Sequence, residues 1–231
     1  MKKTKFIKHC IRAFLPSLWF NFRNLPLQQA IKMPILIYKP HNLNLVGGVK
    51  IEANEVTPGM IRLGFPKSVL FQNNGISIHN MGMIVFKGRC EIGNDSYVTC
   101  LNQGKIIFGN GFIATAGLKI VSACGITFGD DVLIGWNNTI IDTNFHPLYN
   151  IEKECFDKAY GEINIGDNNW LSAQCFVMHN VNTPPNVIFG ARTIVTRAKF
   201  ESNCVYGGSP IRKLKANVKR IVGEDTIDNY E

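Results

Sequence analysis

A six-residue spacing of apolar side chains restricts what this chain can fold into more than any other feature. Stepping by six from Ile165 meets Leu171, Val177, Thr183, Phe189 and Val195. Phe108, Ala114, Ile120 and Ile126 make a second run, and Phe128, Ile134 and Ile140 a third. Twelve of these 13 positions are apolar, about twice what a 45% apolar composition would place there. A bulky residue followed by Gly and then Asn or Asp recurs at Ile92-Gly93-Asn94, Phe108-Gly109-Asn110, Phe128-Gly129-Asp130 and Ile165-Gly166-Asp167. Gly and Asn or Asp predict a turn there, because both tolerate unusual backbone angles. Small or branched residues come four places after a bulky one, at Cys124, Val132, Cys175, Val181, Val187 and Thr193.

A period of six is neither helical nor simple strand alternation. It describes one flat face of a coiled prism, in which each hexapeptide gives a short strand and a turn and three hexapeptides close one coil. The fold class is therefore all-β, a parallel β-helix of hexapeptide repeats. Each coil buries its inner residues against the next, so the ends need caps. Residues 1–75 are expected to be a helical and irregular capping segment, 76–209 the β-helix with a protruding loop at 141–164, and 210–231 a short C-terminal helix and tail. Within the first 25 residues, Phe6, Ile7, Cys10, Ile11, Phe14, Leu15 and Leu18 fall at helical spacing among Lys2, Lys3, Lys5, Lys8 and Arg12. That pattern has two readings: a helix docked on the β-helix, or an amphipathic helix in peripheral contact with an anionic membrane. Residues 26–75 hold Pro26, Pro34, Pro40, Pro58 and Pro66 and show no clean six-step register.

Composition narrows the function. The 25 basic and 17 acidic residues leave +8, which suits an anionic ligand or surface. No aromatic-basic module accompanies that charge, so nucleic acid is not an expected partner. No apolar run reaches membrane-span length, and the basic start lacks a small-residue cleavage site after it, which argues against a signal peptide. Seven cysteines, scattered and without a CxxC pair, read as reduced thiols of a cytoplasmic protein.

The two best repeat blocks are separated by residues 141–164, which carry Asp142 and His146. A long excursion from a regular solenoid marks a functional loop, and His is the side chain suited to moving a proton near neutral pH. Four blocks then carry a resemblance. They are Asp142-Thr-Asn-Phe-His146-Pro147, Gly161-Glu-Ile-Asn-Ile-Gly166-Asp-Asn-Asn-Trp170-Leu-Ser-Ala173, Phe189-Gly-Ala191-Arg-Thr-Ile-Val-Thr196-Arg197 and Gly207-Gly-Ser-Pro210-Ile-Arg212. In order and spacing they resemble the hexapeptide-repeat O-acetyltransferases, a family that includes the maltose, galactoside and polysaccharide O-acetyltransferases. The resemblance covers roughly residues 85–215.

It implies a left-handed β-helix, a homotrimer with sites in the clefts between subunits, acetyl-CoA as donor and a hydroxyl of a sugar or glycan precursor as acceptor. It puts the general base on His146, the oxyanion-hole N–H on Ala173, and CoA contacts on Ala191, Thr196 and Arg197. Basic contacts to the CoA phosphates fall on Arg212 and Lys215. Asp142 is the carboxylate expected to orient the base, and Trp170 and Asn144 are the expected substrate contacts. No metal is implied. Three departures stand out: Asn144 replaces the second acid of an Asp-x-Asp-x-His pattern, Ser172 replaces a Gly, and Ala114-Thr115-Ala116 lacks the sugar-binding Asn of the galactoside branch. Two other classes fit the fold. A zinc lyase of the γ-carbonic anhydrase type would need His79, His146 and His179 to converge. A non-catalytic scaffold would bind no CoA.

Overall fold

The computed structural model describes residues 3–68, 70–72 and 74–224, with side chains from residue 8 onward. Of the expected helical positions, Lys2 lies outside that description, as do the tail 225–231 and the side chains of Lys3, Lys5, Phe6 and Ile7.

The chain winds as a left-handed parallel β-helix with three walls. Strands visit the walls in rotation as far as Phe176–Val177, after which the third wall carries only a bridge between Asn164 and Asn182. Ile35–Ile37, Ile61–Phe65, Cys90–Gly93, Phe112–Ala114, Leu133–Ile134, Trp170–Leu171, Val187–Phe189 and Cys204–Gly207 stack as the first wall. The second wall runs from Pro40–Leu45 to Ile194–Val195, and the third from Gly48–Ile51 to Ile163–Ile165. Equivalent residues fall over one another: Ile78, Val98, Ile120, Ile140, Val177 and Val195 form one inward column of the second wall. On the third wall Phe86, Phe108 and Phe128 stack with ring centroids 5.4 and 5.6 Å apart, and Phe112 meets Phe108 edge-on at 4.8 Å. Every residue of the three six-step runs is buried, Thr183 included.

The turn motif works differently from its sequence expectation. The Gly of each motif does not hold the left-handed backbone; that falls two places later, on Asp95, Gly111, Asp131 and Asn168. The Gly is required by close approach. A Cβ at Gly93 would lie 1.8 Å from the Thr115 carbonyl oxygen, and one at Gly109 2.2 Å from that of Gly129. The Asn or Asp beside it ties coil to coil: Arg89 N–H donates to Asn110, Asn110 N–H to Asp130, and Asp130 N–H to Asp167.

Both ends differ from expectation. The regular coils begin at Ile35, not at residue 76, because proline in residues 26–75 falls at strand starts and turns where no ladder N–H is needed. The segment 210–231, expected as a short C-terminal helix and tail, instead holds a strand, Arg212–Ala216, antiparallel to Cys204–Gly207. The last parallel strand would otherwise leave a bare edge, and Gly208 at φ 93° lets the chain reverse onto it. At the other end, helix α1 (Lys3–Asn24) covers the edge of Ile35–Ile37. Asn21 both donates to the Ile35 carbonyl and accepts from the Ile35 N–H, and Ser17 Oγ accepts from Ile37 N–H. Buried side chains thus satisfy backbone groups that a further strand would have paired. No helix among the described residues is long and apolar enough to cross a membrane. The cysteines among them, all seven in the chain, are free thiols.

Candidate active site

The loop 141–164 leaves the corner between the second and third walls. Its root is a pair of antiparallel rungs: Asn144 N–H donates to the Ala159 carbonyl and Gly161 N–H to that of Asp142, with a bridge between Thr143 and Tyr160. Its tip is a small hairpin pairing Tyr149–Asn150 with Cys155–Phe156. Between root and tip, Phe145 adopts φ 60°, a strained backbone for a bulky residue, and its N–H donates to Thr143 Oγ1 at 3.0 Å. This turn sets the direction of His146, whose side chain is exposed and whose ring makes no hydrogen bond among the described residues. Asn144 is exposed as well.

Asp142 does not supply the orienting contact expected of it. The residue is fully buried and its carboxylate faces inward. It accepts from Ser122 Oγ at 2.8 Å and from the backbone N–H groups of Ala123, Cys124 and Gly125 at 2.6, 3.0 and 2.8 Å. All of those donors come from the coil below and none from the imidazole, so Asp142 fixes the loop root to that coil rather than orienting His146. Burial, with the Asp142 charge second, raises the neighbouring Cys124 thiol to about 11.

The remaining expected residues sort to three places. Ala173 and Ala191 occupy one corner between the first and second walls, in a column with Ala116 and Trp136, each linked to the next by a backbone hydrogen bond one residue on. The Ala173 N–H has no acceptor among the described residues, a property of this corner position that Ala191 shares. Thr196 and Arg197 are exposed at the corner from which the loop leaves, one coil beyond His179. There Arg197, Lys199, Asn182, Thr183 and Pro184 line an open groove of about 660 Å³. Spacing alone does not single out Lys199; its cation sits two residues from Arg197 on the same groove. Trp170, Ile188, Val205 and Lys215 form an outward row on the first wall. Arg212 pairs with Gly207 on the same terminal strand. Lys213 is bound to Glu201 at 2.8 Å, whereas neither Arg212 nor Lys215 has an ion-pair partner among the described residues. His146 and Ala173 thus belong to different corners of one chain. His179 Nδ1 meets the Asn180 amide at 2.7 Å, and His79 Nδ1 faces the Asn44 amide at 3.4 Å. No group of three or more His, Cys, Asp or Glu able to hold a metal forms within the described residues, so the three histidines do not converge inside one chain.

Several of the proteins to which this chain is similar are acetyltransferases. Over 110 residues the chain is 32% identical to the galactoside O-acetyltransferase of Escherichia coli K12, covering 48% of this chain and 53% of that protein. Over about half its length the chain is similar to galactoside O-acetyltransferases. It spans about half the length of that relative. A longer match, 23% identical over 198 residues and covering 85% of this chain and 86% of the other, is to an uncharacterized 24.8 kDa protein in the cps region of Klebsiella pneumoniae. The polySia specific acetyltransferase NeuO shares the fold, with a TM-score of 0.60 at 19% identity over 82% of this chain and 73% of that one. No family model matches the chain.

Proposed function

We propose that this protein is an acetyl-CoA-dependent O-acetyltransferase that acetylates a hydroxyl of a sugar or cell-surface glycan precursor, with His146 as general base. The observation that carries it is the exposed, unengaged imidazole of His146, held by a strained turn where the coils are interrupted, in a homologue of a galactoside O-acetyltransferase. A neutral imidazole takes the proton of the acceptor hydroxyl as its oxygen attacks the thioester carbonyl. The C–O bond forms, the oxyanion is met by the Ala173 N–H, the C–S bond breaks, and the proton passes from His146 to the departing CoA thiolate. No acyl-enzyme is required. Arg197 and Lys199 in their groove, and Arg212 and Lys215 on the terminal strand, are the cations for the CoA phosphates. Trp170, in the row that leads to Lys215, and Asn144, two residues before the base, are the acceptor-side contacts.

Because His146 and Ala173 stand at different corners, the site is completed between copies, which supports a homotrimer. The exposed Phe145, Leu148, Tyr149, Ile151 and Phe156 of the loop supply an apolar surface for such packing. His146→Ala should lower acetyl transfer to a sugar acceptor by about 10²- to 10⁴-fold. Calorimetric titration with CoA should give an unchanged affinity. Equal turnover in the variant would overturn the mechanism, and absence of CoA binding by the wild-type protein would overturn the activity.

A further inference from the structure

The helix α1 buries one mixed face in the fold and leaves a second, apolar face exposed. At about 100° per residue, Ala13, Ser17, Phe20 and Asn21 lie together and are buried against the first strand of the first wall. Phe14, Leu18, Ile11, Phe22, Leu15 and Trp19 occupy a separate arc of about 140° and are all exposed, Ile11 and Leu15 to 72%. The helix cannot roll to hide them. Rotation would break the hydrogen bonds of Asn21 to both backbone groups of Ile35 and of Ser17 to Ile37. The helical capping expected from sequence and the amphipathic surface expected from sequence are therefore two sides of one element.

Charge says what covers the outer side. Arg12 and Arg23 line one border of the exposed arc, Lys8 stands just inside that border, and the helix contains no Asp or Glu. Arg23 also sits 5.7 Å over the Trp19 ring, which places an indole and a guanidinium together at the border between apolar and charged surface. The whole chain is +8. A second copy of this face would oppose these cations with cations, whereas an anionic bilayer opposes them with phosphates. We propose that the outer face of α1 is a docking surface for an anionic lipid bilayer, with the helix lying in the interface plane and the β-helix held above it. Six large apolar side chains enter the headgroup boundary and the basic border meets the lipid phosphates.

The test is co-sedimentation of the full chain with vesicles of phosphatidylglycerol and phosphatidylcholine in equal parts, against vesicles of phosphatidylcholine alone. Binding to the anionic vesicles is expected, weaker at high salt. An Ile11→Ser, Leu15→Ser double variant should lose about tenfold or more in partitioning, and Arg12→Glu should also weaken it. All variants should keep the wild-type unfolding midpoint, since the altered side chains face solvent. Wild-type protein that stays with neither vesicle, or a double variant that binds equally well, would overturn the proposal. So would a double variant whose loss is instead a drop in oligomeric mass, which would assign the face to a second copy.

Discussion

At the scale of single residues, Asp142 holds more of the candidate site in place than any side chain that faces solvent. Its two oxygens are met by three backbone N–H groups and the Ser122 hydroxyl. Asp142→Asn puts an NH₂ group among donors, and a loss of about 3 kcal/mol is expected in urea unfolding. Acetyl transfer should fall with it, because the loop root is displaced. The same carboxylate contributes to the high thiol of Cys124, behind burial. That group's folded value lies above its ordinary 9.0, so its share of stability is complete below about 9 and is lost as pH rises toward about 11. Unfolding midpoints measured across that window should decline more steeply in the wild type than in Cys124→Ser. Phe145 makes the neighbouring case for strain at the base: its left-handed backbone has no sequence signal of the kind that Gly or Asn would give.

At the scale of elements, the coil is a stack of interchangeable rungs, and the aromatic ladder of the third wall is its densest part. Phe108 lies between Phe86 and Phe128 and against Phe112. Phe108→Ala should cost about 3–5 kcal/mol, read as a lower denaturant midpoint. This part of the fold was legible, because Phe108 and Phe128 begin the very runs that repeat every six residues. The N-terminal coils were not: Gly47, Gly64 and the shifted registers at His41–Asn44 and Leu63–Phe65 blur the period while keeping the stacking. The terminal strand Arg212–Ala216 was hidden for a different reason. Lys, Leu and Ala favour helix locally, and only the open edge of Cys204–Gly207 makes them extend. The loop and His146 could be found in sequence as a break in the period. The inward turn of Asp142 could not, since its donors come from the coil beneath, about 20 residues earlier.

At the scale of the whole molecule, the walls offer one chain no way to bring its own second/third corner to its own first/second corner. The proposed homotrimer predicts a mass of three times 25.8 kDa by light scattering, with loss of the loop-tip apolar residues (Leu148→Ser with Ile151→Ser) shifting it toward a single copy. The stack also has a metric. From Ile35–Ile37 under α1 to Leu133–Ile134, the coil from which the His146 loop departs, there are four strand steps. At about 4.8 Å each, the loop stands roughly 19 Å from the helix-bearing end. The solenoid is thus a ruler: one more coil of three hexapeptides would lengthen that reach by one graduation while leaving the foot and the His146 loop unchanged. With the proposed bilayer docking and the proposed glycan acceptor, the number of coils, rather than any side chain, would set how far from the membrane the acetyl group is delivered.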